Sequence, residues 1–128
     1  MQGLILFAHG ARDPRWAEPF ERVLARVRAQ APATPAVLAY LELLPPNLAT
    51  AATHLLAQGC TEVAVLPLFL GAGGHVRRDL PAQLDALRQA HPHVRWVLHA
   101  AAGESQTLVC ALADWACDAV SATPGPAA

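Results

Sequence analysis

Four short apolar runs set the limits on how this chain folds: LILFA (4–8), AVLAYLEL (36–43), EVAVLPLFL (62–70) and VRWVLHA (94–100). The first has no polar residue, and a strand without alternation suits a position covered on both faces, as in a parallel sheet buried between helices. Each run is followed by helical periodicity. Asp13 then Pro14 reads as a capping residue with proline at the first helical position, and Trp16, Phe20, Val23, Leu24 and Val27 then share one face. After Pro45–Pro46 a second helix runs to about Gln58, with Leu48, Ala52, Leu55 and Leu56 aligned and Gly59 closing it. Asp79 and Pro81 repeat the helix-start pattern, with Leu80, Leu84 and Leu87 inward. A last helix from about Ser105 to Val120 turns Leu108, Leu112, Trp115 and Ala119 inward. Strand and helix in alternation, joined by right-handed crossovers, predict an α/β fold: a four-stranded parallel sheet flanked by helices on both faces, with Pro67 marking an irregularity in the third strand.

Composition narrows the functions open to such a fold. The chain has 128 residues, 54% of them hydrophobic, and a formal net charge of −1, which fits one compact core. A near-neutral surface argues against nucleic acid as a partner, because phosphate affinity needs concentrated positive charge. The N-terminal MQGLILFAHG has neither the basic start nor the cleavage site of a signal peptide, and its apolar run is too short to span a bilayer. Cys60, Cys110 and Cys117 lack the spacing of a metal or redox motif and read as free thiols in a reducing compartment. These features predict a cytoplasmic protein without a membrane partner, acting on a small ligand.

In open parallel sheets ligands sit beyond the carboxyl ends of the strands, where strand order reverses. HGARDP follows the first strand and brings His9, Arg12 and Asp13 to that edge; GAGGHVRRD follows the third and brings His75, Arg77 and Arg78. With the order 2-1-3-4 these two strands are neighbours and both histidines face one crevice, with Glu42, Tyr40 and His99 on its rim. A histidine at a strand end serves either as a surface hydrogen-bonding group or as a metal ligand. Clustered arginines either cap surface carboxylates or clamp a ligand rich in carboxylates or phosphates. Gly71, Gly73 and Gly74 are either turn residues or clearance for a flat ligand. Asp13 and Asp79 read as helix caps, and His54, His91 and His93 as solvated side chains.

The segments HGARDP, AYLELLPPNL, VAVLPLFLGAGGHVRRDLP and GES, taken together and in order, resemble the class II, ATP-independent chelatases that insert a divalent metal into sirohydrochlorin, in the small single-lobe form of the CbiX/SirB family. The resemblance spans roughly residues 3 to 118. It implies a single chelatase-like (flavodoxin- or Rossmann-like) lobe over 1–120, with 121–128 as a flexible tail. It also implies a metal site at His9 and His75, with Glu42 as an acidic position near the cleft. Larger members resemble two such units fused, so a single unit is expected to pair as a homodimer. Ala11 replaces a serine found in many relatives, which removes a hydroxyl there. The implied activity is metallation with cobalt favoured, toward cobalamin, and with iron for siroheme, or nickel, as rivals. The metal is a substrate and no organic cofactor is expected. On this reading His9, His75 and Glu42 bind metal or accept pyrrole protons, while Arg12, Arg77, Arg78, Gly73, Gly74 and Tyr40 bind the macrocycle. A metal or tetrapyrrole carrier would use the same residues. A histidine-phosphatase-like phosphoryl transfer is a further alternative, weakened because Ala8 stands where that family has arginine.

Overall fold

The computed structural model describes residues 1–71 and 73–121, apart from the side chains of His75 and Arg77. Four strands, β1 (Gln2–Ala8), β2 (Ala36–Tyr40), β3 (Glu62–Pro67) and β4 (Arg95–Leu98), form one parallel sheet in the order β2-β1-β3-β4. This is the order that makes the first and third strands neighbours. Register aligns Ala8 with Tyr40 and Phe7 with Pro67, so the segments after β1, β2 and β3 leave the sheet side by side.

Helices α1 (Glu18–Gln30), α2 (Leu48–Ala57), α3 (Gly74–Ala90) and α4 (Gln106–Ser121) alternate with the strands. On one sheet face Leu48, Ala52 and Leu55 of α2 and Val76, Leu80 and Leu84 of α3 bury Ile5, Phe7, Val63, Val65 and Trp96. On the other, Phe20, Leu24 and Val27 of α1 pack over Leu6, Ala8, Leu38 and Tyr40. Each fully buried Leu or Phe contributes about 1.5–3 kcal/mol. The second helix is capped by Asn47, whose side chain accepts from the Thr50 amide at 2.9 Å, and is followed by Gly59 at φ 92°.

Several local expectations are corrected. The third strand ends at Pro67 instead of continuing to residue 70, and Glu42 lies two residues beyond β2. The third helix starts at Gly74, so Asp79 is not its cap and Pro81 lies inside it. Proline within a helix costs about 3 kcal/mol. Val76, Leu80, Leu84 and Leu87 offset that cost here by burying a continuous apolar stripe. Trp16 belongs to a 3-10 turn, Pro14–Ala17, that precedes α1 and has a tighter period, so it projects outward at 68% exposure; Val23 lies on the margin of α1 at 41%. The last correction is the largest. Helix α4 does not return to the sheet: it has no buried residue, and Leu112 and Trp115 are exposed, not inward. Ser121 is its last residue, and the rest of the expected tail, 122–128, lies outside the described residues.

Candidate functional site

The site begins with a glycine. Gly10 has φ 94°, and a Cβ there would overlap the carbonyl oxygen of Glu42. Only a residue without a side chain allows the segments after β1 and β2 to approach so closely. The Glu42 amide donates to the His9 carbonyl at 3.2 Å, and His9 Nε2 stands 3.3 Å from Glu42 Oε1 with both side chains about half exposed. The Phe69 ring, beyond β3, meets the imidazole edge to face at 6.2 Å. One nitrogen donor and one carboxylate are thus fixed side by side at the carboxyl edge of the sheet.

Two donors each about 2.0–2.1 Å from a tetrahedral divalent ion stand about 3.3–3.4 Å apart. The His9–Glu42 separation matches that spacing, so the pair can share one ion with little movement. Among the described residues no third histidine, cysteine or carboxylate joins them. A two-donor arrangement leaves coordination positions open, as exchange of an ion requires.

Beside this pair opens a cleft of about 420 Å³, lined by His9, Gly10, Ala11, Trp16, Phe20, Tyr40, Leu44, Leu68, Phe69, Leu70 and Gly71. Its wall is aromatic and aliphatic, which suits a large flat ligand held by its faces. Tyr40 is buried at the base, and burial, followed by the charge of Glu21, raises its phenol above the ordinary value and keeps it a neutral donor.

The structure brings some of the expected residues together and separates others. His9, Tyr40 and Glu42 share the cleft edge. His99 lines a neighbouring cavity of about 410 Å³, with Glu104, that touches the first through Phe69, Leu70 and Gly71. Arg12 is exposed and has no ion pair among the described residues; Arg78 is exposed and its Nε donates to the Gly74 carbonyl at 3.2 Å. Gly73 precedes α3 and Gly74 opens it, and a Cβ on either would meet nothing within 4 Å, as at Gly71. His75 and Arg77 are in the first turn of α3, and their side chains lie outside those described. Asp13 is a cap: its carboxylate accepts from the Arg15 amide at 3.0 Å and pairs with the Arg15 guanidinium, which holds it below the usual carboxylate range.

Two features escaped sequence reasoning. Trp16, read as a core residue, is a wall of the cleft. Gly103 donates its amide to the Phe69 carbonyl at 2.9 Å, and a Cβ there would overlap the Leu70 carbonyl oxygen, so it fastens the segment after β4 to the cleft wall. The signal for Gly103 was its place in the short motif GES, as that for Gly10 was its place in HG.

The profile of the CbiX family matches residues 3–119. The chain belongs to the CbiX family. As a CbiX-family protein it is similar to a solved CbiX protein from Marinobacter aquaeolei VT8, described as a putative cobalamin biosynthesis protein, at 34% identity and TM-score 0.80, covering 94% of this chain and 98% of that one. It is also similar to the sirohydrochlorin chelatase SirB from Bacillus subtilis subspecies spizizenii in complex with cobalt, at 25% identity and TM-score 0.78, covering 91% of this chain and 50% of that one. Among curated proteins, the sirohydrochlorin cobaltochelatase of Saccharolobus solfataricus is 32% identical over 91 residues, 66% of this chain and 64% of that one. The matched region therefore spans less than two thirds of that relative's length. Among the described residues no helix is long and apolar enough to cross a membrane.

Proposed function

We propose that this CbiX-family chain is a sirohydrochlorin chelatase that inserts a divalent metal, cobalt first, without ATP. The observation that carries the proposal is the His9–Glu42 pair, 3.3 Å apart at the mouth of an aromatic cleft. The relatives named for this activity and the cobalt complex of SirB support the choice of substrate and metal.

On this reading neutral His9 offers a lone pair to the incoming ion and Glu42 offers a carboxylate oxygen. His75, in the first turn of α3, supplies the second imidazole. The ion is then held firmly enough to be presented and loosely enough to leave. Insertion exchanges two N–H bonds of the macrocycle for metal–nitrogen bonds and releases two protons. Glu42 accepts one as the ion leaves it, and a freed imidazole or solvent takes the other. Trp16, Phe69 and Tyr40 face the macrocycle. Arg12, Arg77 and Arg78 pair with its peripheral carboxylates, and Gly73 and Gly74 give it clearance.

The cleft is about 420 Å³ and the chain matches half the length of SirB; on this reading a second copy completes the enclosure of the macrocycle. Three free thiols favour the cytoplasm as its compartment. Anaerobic absorbance with sirohydrochlorin and cobalt, iron or nickel tests the reading, each against its spontaneous rate. Acceleration by the chain that disappears in His9→Ala and His75→Ala is expected. Tight binding of metal or tetrapyrrole without acceleration would make the protein a carrier, and acceleration greatest with iron would assign it to siroheme.

A further inference from the structure

The contact with Glu42 does not by itself settle how the His9 ring stands. The side chain is 51% exposed, and its approach to Glu42 at 3.3 Å fixes one nitrogen without fixing the plane of the ring. The torsion that turns an imidazole about its Cβ–Cγ bond has broad wells, and that plane decides where the nitrogen lone pairs point. The neighbour that sets it is Phe69, whose ring meets His9 at 6.2 Å and Phe7 at 6.0 Å, with interplanar angles of 74° and 79°. Phe7 is wholly buried in β1, so the core of the sheet reaches the imidazole through a single ring. Phe69 itself lies two residues beyond β3. The Leu68 amide donates to the Phe7 carbonyl at 2.8 Å and ties this segment to β1; from the other side the Gly103 amide donates to the Phe69 carbonyl at 2.9 Å.

We propose that Gly103 is a positioning residue for His9, acting through Phe69: it holds the segment after β3 from behind and so sets the plane of the imidazole. This rests on the reading above, in which His9 holds the metal. The glycines with positive φ are Gly10 and Gly59, not Gly103, so backbone conformation gives no reason for glycine there. Close approach is the reason. A Cβ at Gly103 would overlap the Leu70 carbonyl oxygen and stand 2.6 Å from its carbon, and both are backbone atoms that cannot rotate aside. Phe69 and Leu70 form the partition between the cleft and the neighbouring cavity of His99 and Glu104, and Gly103 lines only the far side of it. Strand β4 and the turn after it line none of the cleft, yet they act on its chemistry. A push on Leu70 passes along one residue to Phe69 and across one ring contact to His9.

The His9 ring-proton resonances and cobalt isotherms of the full chain test the proposal. In Gly103→Ala the His9 resonances are expected to leave the ring-current field of Phe69. Cobalt alone is expected to bind roughly threefold to tenfold more weakly, the weight of one edge-to-face contact. With a displacement on the order of 1 Å, kcat is expected to fall about a hundredfold. Phe69→Leu is expected to have the same effect on His9, and adding Gly103→Ala to it to change cobalt affinity little further, because one residue works through the other. Gly59→Ala, strained at φ 92° but at the opposite end of β3, is expected to lose stability while keeping the wild-type resonances and cobalt affinity. If Gly103→Ala does not fold, the wild type decides. By reciprocity, saturating cobalt should slow exchange of the Gly103 amide, read by mass spectrometry, by the same threefold to tenfold. A folded Gly103→Ala with wild-type resonances and affinity, effects that multiply in the double variant, or Gly103 exchange indifferent to cobalt would overturn the proposal. The expected responses in a chain that does not metallate sirohydrochlorin would overturn the chelatase reading and leave the positioning of His9 standing.

Discussion

Gly10→Ala is the substitution for which the structure makes the sharpest demand. At φ 94° an L side chain pays a left-handed penalty of roughly 1–2 kcal/mol. The added methyl also overlaps the Glu42 carbonyl, which is backbone and cannot rotate aside. Forcing such an overlap typically costs a further 1–3 kcal/mol, so a total of roughly 2–5 kcal/mol is expected, a large part of the ~5–15 kcal/mol that holds a domain together. If the chain folds, the segments after β1 and β2 must part, and the His9–Glu42 pair opens with them. A displacement near 1 Å at a reacting centre costs about a hundredfold, so metallation should fall by that order. Urea unfolding and the anaerobic rate assay read the two effects separately. Gly74→Ala is the internal control: its Cβ enters open space at the start of a helix, and it should leave stability unchanged or raise it by up to about 1 kcal/mol. Gly10→Ala with wild-type stability and rate would refute the crowding argument and, with it, the claim that this glycine builds the site.

Three further outcomes are expected. Glu42→Gln keeps the shape but removes the anionic donor and proton acceptor; it should lower kcat by about 10²–10⁴-fold, and binding isotherms for cobalt alone should weaken, whereas an unchanged rate would make Glu42 a bystander. Arg77→Gln with Arg78→Gln should raise KM and flatten its dependence on ionic strength, and an unchanged KM in both low and high salt would reduce the pair to surface charge. Trp16→Ala removes a wall of the cleft without touching the core, so the macrocycle should bind more weakly while thermal stability stays within about 0.5 kcal/mol of the wild type; equal affinity, read by absorbance titration, would exclude stacking there.

The fold was largely legible because burial on two faces leaves a plain mark. LILFA and EVAVL have no alternation, and a strand of that kind has few places to go. Handedness narrowed the topologies without fixing the strand order; the order 2-1-3-4, a condition of the sequence reading, is the one observed, and it brings the segments after β1 and β3 together. The misreadings have local causes. Asp79 and Pro81 imitate a helix start, and the stripe from Val76 to Leu87 that carries α3 through the proline is seen only when the helix is followed backwards to Gly74. Trp16 has core spacing if its turn is counted at 3.6 residues, but that turn is 3-10. Leu108, Leu112, Trp115 and Ala119 of α4 were expected to face inward and none is buried; periodicity tells which residues of a helix share a side and is silent on whether the chain covers it. His9, Glu42 and Tyr40 were found as strand-end residues, whereas their spacing depended on Gly10, a contact between segments far apart in sequence.

The central place of β1 bears on how the chain comes to fold. Its partners are β2, which begins at Ala36, and β3, which begins at Glu62. A nascent chain therefore carries LILFA without its second neighbour until half of the sequence has been made. Pairings of such long range are slow to form, and unpaired strands are where aggregation starts. Because the cleft is lined from the segments after β1, β2 and β3, a fragment that ends before β3 holds the His9–Glu42 pair but not the complete site. The completed cleft and the closing of the sheet are one event, and a folding experiment that follows ligand binding in the cleft would be timing β1 against β3.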